Sequence, residues 1–311
     1  MRRWLSSSAE RGAQLRRATQ FLCAAPDSRG TVDLELDHVT ETATITLRNE
    51  GHRNALTPHM MVQFGEAVER LETWDDGRVV VLRGAGGTFC AGADLSAARD
   101  YVQSSEDGMQ MAIYMQAMTS RLRELPLVSL CQVDGYAVGG GTELSTACDF
   151  RIFAADATWR MVHVKMGVVP GWGGGHRIAK LLGRQHALRL LGTAAPVGAS
   201  EALAIGLADA VALPSASAAR RSDGGAVREA AAAAPSSARG GWGHIDVPIE
   251  AAVARLAAQF RDAGALSAVR GAKRVIAGAE RSDSVVRALD GELEIFASTW
   301  GSAANVEALA K

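Results

Sequence analysis

Two glycine-rich segments carry the residues of this sequence that are best suited to chemistry. They span residues 88–94 (TFCAGAD) and 135–143 (GYAVGGGTE). Glycine lets a backbone approach a ligand closely, because no Cβ stands in the way. The start of a helix presents unpaired N–H groups that carry a partial positive charge. Two such groups, brought together, would stabilise an oxyanion of the kind found in a thioester enolate.

Each glycine-rich segment follows an apolar run that is typical of a buried strand, and each precedes a predicted helix. The two runs are residues 79–82 (VVVL) and 127–133 (LVSLCQV). Further strands are predicted at 43–47 and 150–154, and helices at 57–71, 109–125, 143–147, 177–182, 185–191, 199–204 and from 247 onward. This alternation predicts an α/β core with mostly parallel strands.

Length, composition and charge exclude several classes of function. The chain has 311 residues, a net charge of −1, and four cysteines without the spacing of a metal site. A net charge this close to zero does not favour nucleic acid or a membrane surface as a partner. No apolar run is long enough to span a bilayer.

The predicted organisation has four parts. A core at residues 31–212 lies between an N-terminal extension (1–30) and a flexible Ala/Ser/Gly-rich insertion (213–245), and a helical region (246–311) ends the chain. The Arg- and Ser-rich extension suits an organelle transit peptide. It equally suits a surface helix, since Leu15, Ala18 and Leu22 have helical spacing. We therefore expect a cytoplasmic protein, with a mitochondrial location as the alternative.

Glu143 is the acidic residue placed most directly for chemistry, just after the second glycine run. In one interpretation, its carboxylate only stabilises the N-terminus of the helix that follows. In the other, it exchanges a proton with a carbon atom of the substrate as a general acid or base.

These segments resemble the crotonase, or enoyl-CoA hydratase/isomerase, superfamily. Further matches are residues 54–56 (NAL), 147–149 (ACD) and 167–174 (GVVPGWGG). The resemblance implies a spiral of ββα units with a C-terminal helical trimerisation region, and assembly as a homotrimer or hexamer. It implies an acyl-CoA substrate, with no cofactor beyond the coenzyme A that the substrate carries and no metal.

The resemblance also assigns roles to individual residues. The backbone N–H groups of Ala93 and Gly140 would form the oxyanion hole, with Glu143 and His163 as the other catalytic residues. Arg53 would meet a phosphate of coenzyme A, although a solvated arginine is an equal alternative. The remaining predicted substrate contacts are Ala91, Asp94, Gly139, Gly141 and Trp172.

Two departures from the family pattern narrow the predicted reaction. His163 stands where hydratases carry their second glutamate, and Trp172 stands where a small residue is common. Hydration needs two carboxylates, so one carboxylate with a histidine suits it poorly. Residues 106–109, 148–151 and 299–305 also resemble superfamily members that decarboxylate malonyl-type thioesters.

The resemblance therefore predicts loss of CO2 from a malonyl-type thioester, with ethylmalonyl-CoA preferred to methylmalonyl-CoA. The enolate would take its proton from Glu143, His163 or water. An enoyl-CoA hydratase or isomerase is the first alternative, and a non-catalytic acyl-CoA-binding protein is the second.

Overall fold

The computed structural model describes residues 8–215, 242–300 and 302–309. Its strands are β1 (Thr31–Asp37), β2 (Thr42–Arg48), β3 (Val79–Gly84), β4 (Val128–Val133), β5 (Tyr136–Val138), β6 (Phe150–Ala154), β7 (Thr158–Arg160), β8 (Val197–Gly198), β9 (Ala210–Leu213) and β10 (Gly243–Pro248). Its α-helices are α1 (Ser8–Cys23), α2 (Pro58–Glu72), α3 (Leu95–Tyr101), α4 (Ser105–Glu124), α5 (Gly140–Ser145), α6 (Gly174–Thr193), α7 (Ala199–Ala204), α8 (Ile249–Asp262), α9 (Leu266–Arg281), α10 (Val285–Thr299) and α11 (Ala303–Leu309).

Two sheets form the core of the described chain. The larger has the strand order β1-β2-β3-β4-β6-β9-β10, and the smaller has the order β5-β7-β8. In the larger sheet only β1 and β2 pair in antiparallel fashion, and every other neighbouring pair is parallel. The predicted α/β core with mostly parallel strands is confirmed.

Helix α2 shows how local sequence signals set the elements that surround the site. The side chain of Thr57 accepts a hydrogen bond from the N–H of Met60, and Pro58 occupies the first helical position. This is a favoured helix start, because proline has no N–H to leave unpaired there. The apolar residues Phe64 and Leu71 point into the core and are completely buried. The helix thereby fixes Leu56, just before it, beside the first glycine-rich segment.

The bounds of helices α5 and α6 differ in detail from the predicted ones. Helix α5 begins at Gly140, three residues before the predicted start at Glu143, so the glycines themselves form its first turn. Helix α6 contains one non-helical residue, Gly183, with φ of 76°, which divides it between the two segments that the sequence predicts. Both helices place their N-terminal ends at the candidate site.

Strand β10 was not predicted. The sequence pattern indicates an insertion up to residue 245 and helix from residue 247, whereas Gly243–Pro248 pairs in parallel with β9 at the edge of the larger sheet. Residues 216–241, most of the predicted insertion, lie outside the described residues. The expectation of helix from residue 247 is therefore wrong up to Pro248, after which α8 begins.

The terminal helices pack on the same core. Helix α1 lies against α4 and buries Ala18 and Leu22, the face that the spacing predicts. Helix α9 is held by an ion pair in which Lys273 donates to Asp149. Among the described helices, none is long and apolar enough to cross a bilayer.

Candidate active site

Hydrogen bonds to Leu56 hold the first glycine-rich segment so that the N–H group of Ala93 points away from Leu56. Leu56 donates its N–H to the carbonyl of Gly92 at 2.7 Å, and Asp94 donates its N–H to the carbonyl of Leu56 at 2.9 Å. Successive N–H groups of an extended chain point to opposite sides. The N–H of Ala93, between these two bonds, therefore points away from Leu56.

The second glycine-rich segment meets the first at Gly92. A Cβ on Gly92 would lie 2.7 Å from the backbone nitrogen of Gly140, and Gly92 has φ of +92°. Only glycine permits both this backbone conformation and this approach. Strand β5 completes the junction, since Cys90 exchanges hydrogen bonds with Tyr136 and Val138.

The N–H groups of Ala93 and Gly140 are thus brought to one place by the two segments. Within the described chain, neither N–H donates to a protein acceptor. Gly140 is also the first residue of α5, where the helix N-terminus adds a partial positive charge. Two free donors beside a helix start can hold a developing oxyanion.

Glu143 lies beneath these donors and is almost completely buried, with 1% of its surface exposed. Its Oε2 atom accepts the N–H groups of Trp172 and Gly174, both at 2.8 Å. Its Oε1 atom lies 3.1 Å from Nε2 of His163. Because both N–H donors need an acceptor at Oε2, a proton on this carboxyl group can sit only on Oε1, facing the imidazole.

His163 begins a short 3-10 helix, and its ring is largely buried. Its other ring nitrogen, Nδ1, is buried without a hydrogen-bond partner among the described residues. A ring proton on Nε2 has an acceptor in Glu143, whereas one on Nδ1 has none from the protein. The neutral ring therefore carries its proton on Nε2, and the buried Nδ1 is left without a protein partner in the described chain.

Trp172 closes the site over Gly140 and is 4% exposed. A Cβ on Gly140 would lie 2.4 Å from the indole Cζ3 atom and 2.6 Å from Cη2. The absence of a side chain at Gly140 thus makes room for the indole ring. The carbonyl of Trp172 accepts hydrogen bonds from the hydroxyl of Thr119 at 3.0 Å and from Arg177 at 2.8 Å. The ring forms a rigid apolar wall next to the oxyanion donors.

The other predicted contact residues in the two segments have backbone roles as well. Ala91 donates its N–H to the carbonyl of Arg53 at 3.0 Å, and Gly139 donates to Arg160 at 3.0 Å. A Cβ on Gly141 would lie 2.1 Å from the carbonyl oxygen of Cys90, so glycine there allows the two segments to pack together. These three residues flank Ala93 and Gly140 in the chain and shape the two loops, and their contact with a substrate stays a prediction.

Arg53 and Asp94 lie on either side of the first segment. Arg53 is exposed, has the left-handed φ of 53°, and places its guanidinium 5.4 Å from the ring centroid of Tyr136. Asp94 is 3% exposed, and its Oδ1 atom caps helix α3 by accepting the N–H groups of Ser96 and Ala97. Only Oδ1 of Asp94 is engaged by the helix, because Oδ2 is buried without a hydrogen-bond partner, 3.5 Å from Nδ1 of His52. The substrate contacts of Arg53 and Asp94 stay predictions.

Sequence reasoning missed Arg177 and Thr119, which lie directly behind the site. Arg177 is a cation close to the N-terminus of α6, where the helix dipole disfavours positive charge. The unfavourable position of Arg177 near a helix N-terminus was the one sequence signal that its side chain binds acceptors elsewhere in the fold. Its acceptors lie on segments distant in sequence, so no local pattern could have identified them.

A sequence model of the enoyl-CoA hydratase/isomerase family matches residues 39–222. The chain belongs to this family, the crotonase superfamily. It is 36% identical to the ethylmalonyl-CoA decarboxylase of Gallus gallus, over 91% of this chain and 84% of that protein. It is 37% identical to the ethylmalonyl-CoA decarboxylase of Xenopus laevis, over 91% of this chain and 83% of that protein.

Solved structures show the same fold. An enoyl-CoA hydratase from Bacillus anthracis superposes with a TM-score of 0.72 at 25% identity, covering 91% of this chain and 95% of the other. A putative enoyl-CoA hydratase from Thermobifida fusca YX, solved in complex with acetoacetyl-CoA, superposes with a TM-score of 0.67 at 26% identity, covering 90% and 96%. The predicted crotonase fold is confirmed.

Proposed function

We propose that this chain is a carboxy-lyase that decarboxylates a malonyl-type acyl-CoA thioester, with ethylmalonyl-CoA preferred and methylmalonyl-CoA slower. The observation that carries the proposal is the direct contact of 3.1 Å between Oε1 of Glu143 and Nε2 of His163. A carboxylate bound to an imidazole can deliver a proton to an enolate, whereas hydration in this family divides its work between two carboxylates. The similarity to ethylmalonyl-CoA decarboxylases supports the same substrate class.

The first step of the proposed reaction needs the oxyanion hole and no base. The thioester oxygen accepts the N–H groups of Ala93 and Gly140, and the bond between C2 and the carboxylate breaks to release CO2. The electron pair of that bond moves into a double bond between C2 and C1, and the negative charge comes to the thioester oxygen. Losing one such donor typically costs about 3–4 kcal/mol of transition-state stabilisation.

The second step delivers one proton to C2 and forms butyryl-CoA. We assign this proton to the Glu143–His163 pair. When His163 is protonated, Nε2–H remains on the Glu143 carboxylate, and Nδ1–H is the proton without a protein acceptor in the described chain. Transfer from Nδ1 leaves a neutral imidazole that is still hydrogen-bonded to Glu143, as in other carboxylate–histidine arrangements.

Trp172 supports the choice of substrate and the exclusion of water. Its indole ring is buried beside Gly140, so it presents apolar surface near the carbon that loses CO2. An apolar wall disfavours a charged carboxylate, and release of CO2 relieves that unfavourable contact. The same wall offers an ethyl branch a surface to pack against. No cofactor is required, because the thioester itself accepts the electron pair.

The deciding experiment compares two substrates with the same purified protein. Incubation with ethylmalonyl-CoA should release CO2 and yield butyryl-CoA, identified by mass spectrometry, whereas crotonyl-CoA should yield little 3-hydroxybutyryl-CoA. Fast hydration of crotonyl-CoA without CO2 release would instead establish a hydratase. Tight acyl-CoA binding without turnover of either thioester would establish a binding protein.

The proposed physiological role is metabolite repair. A decarboxylase of this specificity would remove carboxylated by-products that acyl-CoA carboxylases form. A preference in kcat/KM for ethylmalonyl-CoA over malonyl-CoA is expected, because a repair enzyme must spare the normal intermediate. Equal rates with both thioesters would contradict this role.

We also propose that the chain forms a homotrimer or hexamer through its C-terminal helices. Helix α10 has no buried residue, and it exposes apolar side chains along its length: Val285, Val286, Leu289, Leu293 and Phe296. Exposed apolar surface of this extent is typical of an interface. Light scattering should give three or six chains per particle, and the double substitution Leu289→Lys and Leu293→Lys should lower that number. A monodisperse monomer would contradict the proposal.

A further inference from the structure

Behind the proposed active site lies a partly buried arginine, Arg177, whose guanidinium contacts none of the reacting groups. The guanidinium of Arg177 donates from Nη2 to the carbonyl oxygens of Glu143, at 2.9 Å, and of Trp172, at 2.8 Å. These two residues belong to different elements, helix α5 and the loop before α6. A single nitrogen atom therefore ties the proton-transfer helix to the loop that carries the apolar wall.

The remaining donors of Arg177 bind two hydroxyl groups. Nε donates to Oγ1 of Thr146 at 3.1 Å, and Nη1 donates to Oγ1 of Thr119 at 3.3 Å. The hydroxyl of Thr119 in turn donates to the carbonyl of Trp172. Arg177 thus donates from all three of its guanidinium nitrogens, and the planar, forked shape of the group fixes the directions of these bonds.

The charge of Arg177 is unusual for a purely structural side chain. All four of its hydrogen-bond acceptors are neutral oxygens, and burial lowers the pKa of Arg177 to about 10. Burying a guanidinium without a bonded carboxylate is costly. The buried carboxylate of Glu143 offsets part of that cost, since its charge favours the protonated form of Arg177.

We propose that Arg177 is a positioning residue that holds Glu143 and Trp172 in register with the oxyanion hole. Two hydrogen bonds connect the same elements from the other side, because Oε2 of Glu143 accepts the N–H groups of Trp172 and Gly174. Arg177 thus holds the main chain of Glu143 and of Trp172, while the Glu143 carboxylate holds the main chain of Trp172 and of Gly174. Together these bonds fix the positions of the carboxylate and the indole. A misplacement of about 1 Å at such a site can cost roughly 10²-fold in rate.

The test compares two replacements of similar length at this position. Arg177→Lys retains an ammonium group that can reach the two carbonyl oxygens, whereas Arg177→Met retains the volume without any donor. We expect Arg177→Met to lower kcat for ethylmalonyl-CoA by about 10²-fold, with KM changed by less than about threefold. Arg177→Lys should recover at least about tenfold of that loss.

Arg270→Met is the matched control. Arg270 is an arginine that likewise donates to backbone carbonyls, those of Trp74 and Asp75, which precede strand β3, whereas the first glycine-rich segment follows that strand. This variant should lose thermal stability and keep its kcat. A folded Arg177→Met variant with wild-type kcat, or equal rates for the Lys and Met variants, would overturn the proposal.

Thr119→Val keeps the proposal testable if Arg177→Met does not fold. It removes one acceptor of Arg177 and one donor to Trp172, and it should lower kcat by about three- to tenfold at unchanged KM. An unchanged kcat in that variant would refute the positioning role.

The inference rests on the proposed function only for the choice of substrate, and the two can fail separately. Release of CO2 by the wild-type protein tests the function, whereas the ratios among variants test Arg177. If the wild-type protein releases no CO2, the same ratios can be measured from deuterium exchange at C2 of butyryl-CoA in D2O, which also passes through the enolate. Absence of both reactions would overturn both proposals.

Discussion

Replacing Glu143 by glutamine tests the proton-transfer pair most directly. Glutamine has the size of glutamate, and its amide oxygen can still accept the N–H groups of Trp172 and Gly174. Its NH2 group then faces Nε2 of His163, where the carboxylate oxygen was. Because an amide NH2 only donates, Nε2 must become an acceptor, and a protonated ring would meet a donor instead of a charge partner.

The size of the effect follows from this geometry. Opposite charges about 4 Å apart attract by roughly 4 kcal/mol at an effective dielectric constant of about 20. Glu143→Gln removes that attraction, and 4 kcal/mol corresponds to about 10³-fold in rate if the protonated ring is the donor. General acid catalysis typically contributes about 10²–10⁴-fold, which agrees with this estimate.

The assay is CO2 release from ethylmalonyl-CoA under saturating substrate, with thermal unfolding measured in parallel. Glu201→Gln provides the matched control, since Glu201 makes an exposed ion pair with Arg189 away from the site. That variant should keep wild-type kcat. If Glu143→Gln folds normally and also keeps wild-type kcat, Glu143 only organises the Trp172 loop, and the assignment of the proton to this pair is refuted.

Three further predictions concern other parts of the site and the core. In D2O, His163→Gln should still release CO2, but water should then protonate the enolate. Each butyryl-CoA should carry one deuteron at C2, added to either face, so that the product is a mixture of the two configurations. A single configuration would refute the assignment of the proton to His163. Gly140→Ala keeps its N–H but places a Cβ 2.4 Å from the Trp172 ring, so kcat should fall by about 10²-fold. Trp172→Leu in that background should restore part of the loss, and additive effects of the two substitutions would contradict the contact. Burial raises the pKa of Asp134 to about 6, so its ionised form destabilises the fold at higher pH. Asp134→Asn should therefore raise the free energy of unfolding by up to about 3 kcal/mol at pH 8 and much less at pH 4, and a pH-independent difference would contradict this origin.

The sequence predicted the position of the two glycine-rich loops between strand and helix, because the signals for these elements are local. The strand before each glycine run, and the Thr57–Pro58 helix start, depend on residues within one or two turns of each other. Helix α5 begins at Gly140 rather than at Glu143, since glycine is a poor helix former but can occupy a first turn packed tightly against another segment. Propensity alone favoured the later start.

Nonlocal features were beyond sequence reasoning. Arg177 binds acceptors on α4, α5 and the loop before α6, and no periodicity connects those positions. Strand β10 was missed because glycine and proline stand at its two ends and its partner, β9, is distant in sequence. The resemblance to the family identified His163 as a candidate, whereas its contact with Glu143 required the three-dimensional structure.

That contact also favours the proposed decarboxylation over hydration. A hydratase must hold a water molecule between its acid and its base, but Oε1 of Glu143 and Nε2 of His163 are already at hydrogen-bond distance. The other carboxylate oxygen accepts two backbone N–H groups and has little capacity left for water. Decarboxylation needs no bound water, because the breaking bond between C2 and the carboxylate supplies the electron pair of the enolate. The proposed reaction then needs one proton and two oxyanion donors, the roles that we assign to the Glu143–His163 pair and to the N–H groups of Ala93 and Gly140.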